Sequence, residues 1–380
     1  MLAKRLWIQE EGFMMTNKYF EKKKLFQLIL TLISACIGGL VFTLMNWPIP
    51  WLLGSMTAVL VVNQLGWTKL YWPIALRNTG LIIVGYSIGL TFTKQSLHLM
   101  ISQLPSMAFM TILLLIICAG MAFIISRLTS INFPTALTSS IPGGLSQIIT
   151  FAEETKGIDI TTVTFFQVTR LIVIIFAVPF LIFSPLFTKE GIQTIPDVIT
   201  EGTQSSFFPQ FILFAIFSIV MAFIGKKIKL PTAYLLGPIL GIAILNVFGI
   251  SGPSLPGSIL DVSQLLIGGY IGLLLKPEKL KRKASMIPIA LISGMMLVGI
   301  ALGLSFLLIH LYHFSPITSF LSLAPGGADQ MGIIGHELEA DVTMITGYQL
   351  FRILFIFFAV PPLLKWVMRF HMNKEALKHE

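Results

Sequence analysis

Charge is scarce in this chain. Only 26 Lys and Arg and 17 Asp and Glu occur in 380 residues, 11% in all, against 55% apolar residues. A soluble surface needs roughly a quarter of its residues charged, so a soluble enzyme or a string of soluble domains is excluded. A mean hydropathy of +0.86 points to a bilayer. Cysteine is nearly absent: Cys36 and Cys118 both sit in apolar runs without metal-ligand spacing, which excludes a disulfide framework and fits small buried hydrophobes. Histidine numbers six. His310 and His313 stand three apart but have no counterpart elsewhere, so an interfacial aromatic cap is favoured over a metal site. No Ser-His-Asp order, phosphate loop or haem signature is present, and no enzyme chemistry is expected.

The net charge of +9 would suggest nucleic acid in a soluble protein. Here the basic residues fall in short loops and at the termini, where they act as topology signals. No nucleic-acid partner and no cofactor is expected. Residues 1–24 are polar and basic (Lys4, Arg5, Lys18, Lys22, Lys23, Lys24) and precede a long apolar run without a small-residue cleavage site. They read as a cytoplasmic tail before a signal anchor.

A hydrocarbon core of about 30 Å needs roughly 20 residues of helix. Candidate spans in the first half are Leu25 to Met45, Trp51 to Gln64, Pro73 to Phe92, Pro105 to Ile125 and Ile160 to Phe183, with a broken region from Pro134 to Phe151. The second half gives Phe208 to Ile224, Thr232 to Phe248, Ser258 to Leu275, Met286 to Leu311 and Thr343 to Val367, with a broken region from Pro316 to Gly335.

The halves repeat each other. An offset of 183 pairs Pro48 with Pro231, Gly54 with Gly237, Asn63 with Asn246, Gly66 with Gly249, Gly85 with Gly268, Gly89 with Gly272, Ser139 with Ser322 and Pro142 with Pro325. After a one-residue deletion, Gln167-x-x-Arg170 meets Gln349-x-x-Arg352 and Pro179 meets Pro361. The expected organisation is a tail over 1–24, a membrane repeat over 25–183, an extracytoplasmic linker over 184–207, a second repeat over 208–367 and a cytoplasmic tail over 368–380. Duplication of this kind builds many secondary transporters.

If each broken region crossed the bilayer, Lys276 to Lys283 would lie outside, against the positive-inside rule. If each dips in and returns, every half has five full spans and the second copy is inverted. The basic loops at Lys226 to Lys229 and Lys276 to Lys283 then lie inside with both termini, and the acid-leaning linker lies outside. The predicted fold class is therefore an all-α polytopic membrane protein: an inverted repeat of five transmembrane helices plus one re-entrant broken helix per half, about ten full spans.

The candidate site is the pair of breaks. Pro142, Gly143 and Gly144 recur as Pro325, Gly326 and Gly327, and Pro-Gly-Gly inside apolar sequence removes a donor and loosens the helix. A backbone break at membrane depth survives only when buried in protein or lining a wet cavity. Helix N-termini after the breaks suit an anion. Carbonyls freed at Ser139 to Ile141 and Ser322 to Ala324 suit a cation, together with Ser146, Gln147, Asp329 and Gln330. Asp329 is the one acid at either tip, its counterpart being Ser146, and a carboxylate there suits a proton or sodium ion or a salt bridge to Arg352 or Arg170. Arg170 and Arg352 lie near mid-span, where an unpaired guanidinium costs on the order of 2.5 to 3.5 kcal/mol. Each either ties down carbonyls of its broken helix or meets an anionic group. Gln167 and Gln349 accompany them one turn earlier.

In the two Pro-Gly-Gly motifs, the Gln-x-x-Arg spans and the duplication, the chain resembles the AbrB family of bacterial membrane proteins over about residues 25 to 367. The resemblance implies a multi-pass protein of the bacterial inner membrane and an architecture akin to cation-coupled carriers with inverted five-helix repeats. The family bears two labels, regulator of gene expression and ammonia monooxygenase. An acid often stands in the family where this chain has Gln147 and Gln330. The absence of a copper or iron ligand cluster disfavours the oxygenase label, and no DNA-binding domain remains once the spans are removed. The expected function is a secondary transporter of a small anionic or zwitterionic organic solute, with proton or sodium coupling and a homodimer both open. The alternative is a membrane sensor that affects expression indirectly.

Overall fold

The computed structural model describes residues 2–47, 49–66, 69–143, 145–155, 157–182, 184, 187, 207–250, 252–274 and 283–376, and among these not the side chains of 2–22, 145–147, 150, 154, 207–209, 283–285, 361 and 363–376. The expected linker and the basic loop after Leu274 lie largely outside the described residues.

Every described element is a helix. The first half holds α1 (Leu2–Leu44), α2 (Pro50–Leu65), α3 (Ile74–Leu90), α4 (Lys94–Ser102), α5 (Leu104–Leu128), α6 (Phe133–Ser140), α7 (Leu145–Glu154) and α8 (Ile160–Ile182). The second holds α9 (Phe207–Lys227), α10 (Ala233–Val247), α11 (Gly257–Gly272), α12 (Lys283–Tyr312), α13 (Pro316–Leu323), α14 (Ala328–Glu337) and α15 (Val342–Ala376). The chain is an all-helical polytopic membrane protein.

Among the described residues, six stretches are long and apolar enough to cross alone: Lys23–Leu44, Leu104–Leu128, Ile160–Ile182, Gln210–Lys227, Met286–Tyr312 and Val342–Val360. A seventh is α3 with α4, if that pair, bent by 91°, counts as one span. Helices α2, α3, α10 and α11 have 16, 17, 15 and 16 residues. At 1.5 Å per residue they reach roughly 22 to 26 Å, less than a full hydrocarbon core. The ten expected spans are thus six long helices and four short ones, and length alone assigns only six or seven.

Backbone conformation repeats with the sequence. Helix α1 stops at Asn46 with φ 53°, and α9 stops at the matching Lys229 with φ 58°. Each stop carries a six-to-one hydrogen bond, Trp47 N–H to Phe42 O at 3.0 Å and Leu230 N–H to Gly225 O at 2.9 Å, the signature of a left-handed C-terminal cap. Ile49 and Thr232, which lead into α2 and α10, have φ 49° and 46°. Two β-branched residues in a region they rarely adopt, at equivalent places, mark strain held by the surrounding packing.

The chain forms two compact units, Met1–Gly80 with Gly257–Leu275, and Leu81–Pro256 with Lys276–Glu380. In the first, Gly38 and Gly39 of α1 lie against Gly54 and Trp51 of α2, where an added Cβ would strike the Gly54 carbonyl or the indole. Helix α11 packs on α2: a Cβ on Gly272 would stand 2.7 Å from the Met56 carbonyl, and Gly268 lies on Leu52 and Ser55. Trp72 donates to Leu266 O at 3.1 Å and closes a small core with Ala35, Val59 and Leu265.

The second unit repeats this with the partners exchanged. A Cβ on Gly85 of α3 would stand 2.7 Å from the Leu235 carbonyl, and one on Gly89 would stand 3.1 Å from the Ile239 carbonyl, both on α10. Leu235 and Ile239 are the counterparts of Leu52 and Met56. Each copy therefore lends its third helix to the second helix of the other, the reciprocity of an isologous contact. Glycine at these four positions lets backbones touch, which is how helices associate where lipid removes the hydrophobic drive.

Candidate functional site

The site lies in the second unit and is built twice. Helix α6 starts at Asn132, whose Oδ1 accepts from Thr135 N–H at 3.0 Å, and α13 starts at Ser315, whose Oγ accepts from Thr318 N–H at 3.2 Å. Thr135 and Thr318 then use their hydroxyl oxygens to accept from Asp159 N–H at 3.0 Å and Asp341 N–H at 3.3 Å. Those two acids cap α8 and α15: Asp159 accepts from Thr161 N–H and Asp341 from Met344 N–H, each at 3.0 Å. The start of each broken helix is thus fastened to the start of the long helix that follows.

Both broken helices stop after two turns, α6 at Ser140 and α13 at Leu323, and resume at Leu145 and Ala328. The stop orphans carbonyls at their C-terminal ends. Gln167 Nε2 donates to the carbonyls of Thr138, Ser139 and Ile141 at 3.1, 3.2 and 3.0 Å. Gln349 Nε2 does the same for Leu321, Ser322 and Ala324 at 2.8, 3.3 and 3.0 Å. One turn further along, Arg170 donates through Nη1 to Ile141 O at 2.9 Å and through Nη2 to Gly143 O at 3.4 Å. Arg352 donates through Nη1 to Leu323 O and Ala324 O at 3.2 and 3.0 Å, and through Nη2 to Gly326 O at 3.0 Å and to Gln349 Oε1. Both glutamines are fully buried, and the arginines are 6% and 3% exposed.

Of the two roles open for the arginines, the structure displays the first. Their terminal nitrogens bind carbonyls of the breaks, and Asp329 is not among their hydrogen-bond partners. Of the carbonyls suited to a cation, those of Ser139, Ile141, Ser322, Leu323 and Ala324 are held by these resident donors. A guanidinium at a helix C-terminus also meets the negative end of the helix dipole, so each arginine answers both the orphan groups and the field of its half-helix.

The tips meet the opposite copy. A Cβ on Gly143 would stand 2.9 Å from Ile148 and 3.1 Å from Cγ2 of Ile356, one turn past Arg352. A Cβ on Gly326 would stand 2.7 Å from Met331 Cε and 3.3 Å from Cγ2 of Ile174, one turn past Arg170. The two breaks and the two arginine-bearing helices therefore converge. Pro142 and Pro325 are buried there.

The tips differ chemically. Gly327 N–H donates to Gln330 Oε1 at 3.0 Å, so Gln330 caps α14, and the Asp329 carboxylate folds back over Gly327, where a Cβ would strike Oδ1. In the first copy, Gly144 and the side chains of Ser146 and Gln147 lie outside the described residues. Four buried polar atoms lack a hydrogen-bond partner among the described residues at equivalent places: Oγ of Ser139 and Ser322, and Nε of Arg170 and Arg352.

A third break escaped sequence reasoning. The chain turns by 91° between α3 and α4, and the exposed carbonyls there are held from the second half. Asn246 Nδ2 donates to Leu90 O at 2.7 Å and Phe92 O at 3.0 Å, and Thr343 Oγ1 donates to Thr91 O at 2.9 Å. The available signal was Thr91-Phe92-Thr93 directly after Gly89-Leu90, with Thr93 and Ser96 forming a capping box. Ser106 and Tyr348, hydroxyl to hydroxyl at 2.5 Å, were likewise unforeseen.

The profile described as "Transition state regulatory protein AbrB" matches residues 5–133 and 51–368. The chain belongs to the AbrB family. The AbrB-family relatives include the uncharacterized YhjN of Bacillus subtilis (strain 168), 25% identical over 367 residues, 90% of this chain and 93% of the relative. The candidate regulator AbrB of Escherichia coli (strain K12) is 24% identical over 335 residues, 88% of this chain and 94% of the relative. Both matches span the two breaks, so membership in AbrB covers the duplicated site as a whole.

Proposed function

We propose that this AbrB-family protein is a secondary transporter of a small anionic or zwitterionic organic solute, working by alternating access. One observation carries the reading: two broken helices, related by duplication, converge at buried arginines that hold their carbonyl ends. Irregular backbone at membrane depth is costly, and carriers use it where a solute and its coupling ion bind. The exchange of third helices between copies supports a mirrored pair of domains, and the loop charges favour the inverted five-plus-five topology with both termini in the bacterial cytoplasm.

Purified protein in proteoliposomes, given a panel of labelled carboxylates, amino acids and phosphates under imposed pH and sodium gradients, is expected to accumulate one class. Absence of uptake and counterflow across the panel would defeat the reading. Labelling single-cysteine variants at Lys226 and Lys281 tests the topology, with both expected on the cytoplasmic side.

The regulator label borne by the family description and by one relative favours a second reading, a membrane sensor without turnover. That reading requires a stable partner on the cytoplasmic side and binding without flux.

A further inference from the structure

We propose that the paired breaks carry their own fixed cations and therefore bind a carboxylate group, with no sodium ion at their carbonyl ends. This deepens the carrier reading and rests on it. Sodium would need several oxygen ligands to replace its water. At these breaks the carbonyls of 138, 139 and 141, and of 321, 322 and 324, already accept from Gln167, Arg170, Gln349 and Arg352. A sodium ion placed among them would also face two guanidinium charges.

The hydrogen bonds of both guanidinium groups go to neutral groups, and the break beside each arginine lies against the helix that carries the other. Two like charges in a low-dielectric setting favour entry of an anion. Among the unpartnered buried donors of the described residues, four recur at equivalent places in the two breaks: Nε–H of Arg170 and Arg352 and the hydroxyls of Ser139 and Ser322. All four residues are more than nine-tenths buried. A carboxylate offers two oxygens with about four lone-pair sites, which matches this donor set in number and sign. Helices α7 and α14 also begin beside the breaks and turn their positive ends toward them.

The test uses the full chain purified in detergent, with sodium acetate, choline acetate, sodium chloride and choline chloride as probes at equal ionic strength. Acetate is expected to raise Tm by about 2 to 4 °C at saturation, equally with either cation. The double variant Ser139→Ala/Ser322→Ala is expected to keep the Tm measured in choline chloride and to lose at least half of the acetate shift. A shift that follows sodium whatever the anion overturns the proposal. So does no acetate shift in the wild type, or a full shift in the double variant. The same preparation in proteoliposomes separates the two levels: an acetate shift without flux of any solute defeats the carrier reading and leaves the anion site standing. Sodium-driven flux without an acetate shift does the reverse.

Discussion

The two breaks are the same scaffold around different tips. In both copies an Asx or Ser cap starts the half-helix, a threonine hydroxyl ties it to the next helix, and a Gln and an Arg one turn apart gather the orphan carbonyls at equivalent positions. The tips then diverge: the second copy places Asp329 where the first has Ser146. Groups kept in both copies answer a need that both share, which is to hold a broken backbone in an apolar setting. Groups present in one copy answer a need of the whole molecule, and Asp329 is the clearest of these.

The largest expected effect comes from breaking the shared part. Arg170→Leu strands the Gly143 carbonyl and Arg352→Leu strands those of Leu323 and Gly326, while Gln167 and Gln349 still hold the carbonyls of Ile141 and Ala324. At about 1 to 3 kcal/mol for each stranded group, Arg170→Leu should lose about 1 to 3 kcal/mol and Arg352→Leu about 2 to 6 kcal/mol. If the comparison is right, both copies lose stability, the second more than the first, as read by thermal unfolding in one detergent. A large loss in one copy and none in the other would mean that the silent arginine is not structural.

Making the tips alike comes next. Asp329→Ser gives the second copy the residue of the first, and should leave stability within about 1 kcal/mol of wild type while abolishing any uptake driven by a pH gradient. A carboxylate can carry the proton and a serine cannot. Uptake that still follows the pH gradient in Asp329→Ser would remove Asp329 from coupling.

A third comparison concerns space. A methyl group on Gly143 would meet Ile148 at 2.9 Å and Ile356 at 3.1 Å, both stiff β-branched side chains, whereas on Gly326 it would first meet the free end of Met331 at 2.7 Å. Gly143→Ala should therefore cost about 1 to 3 kcal/mol and Gly326→Ala less, within the usual range for overpacking. Equal costs would show that Met331 cannot yield.

Much of this symmetry could be read before any coordinates. The duplication, both breaks and the Gln-x-x-Arg pairs follow from residue types at one offset, because Pro, Gly and intramembrane Arg have few other uses in apolar sequence. Two things were hidden. Which partner an arginine takes depends on the rotamer and on the neighbouring half-helix, so carbonyl and anion remained open for Arg170 and Arg352. The bend at Thr91 was read as the end of a span, because Thr and Phe break no pattern by themselves and the groups that hold it, Asn246 and Thr343, come from the other half of the chain. Span bounds moved both ways: α3, α10 and α11 are two or three residues shorter than expected, whereas α2, Pro50–Leu65, is two residues longer than the expected Trp51 to Gln64.

The smallest expected effect tests the repeat at a surface position. Helix α14 ends in a six-to-one cap, Ala340 N–H to Gly335 O at 2.9 Å, with Glu339 at φ 52° in the left-handed place that glycine normally takes. Its counterpart after α7 is Gly157, at φ 90°, with nothing within 4 Å of an added Cβ. Space is therefore free at Gly157 and conformation alone forbids a side chain, while Glu339 bears the conformational cost in the native chain. A left-handed non-glycine residue costs roughly 1 to 2 kcal/mol, partly offset because glycine loses more entropy on folding, about 0.4 to 1 kcal/mol. Glu339→Gly should thus stabilise by about 0.5 to 1 kcal/mol, and Gly157→Ala should destabilise by more than that gain, since Asn132 Nδ2 also holds the Gly157 carbonyl at 2.7 Å and resists any relaxation. Paired thermal unfolding curves decide it, and a loss of stability in Glu339→Gly would mean that the glutamate side chain makes a compensating interaction that its exposed position does not suggest.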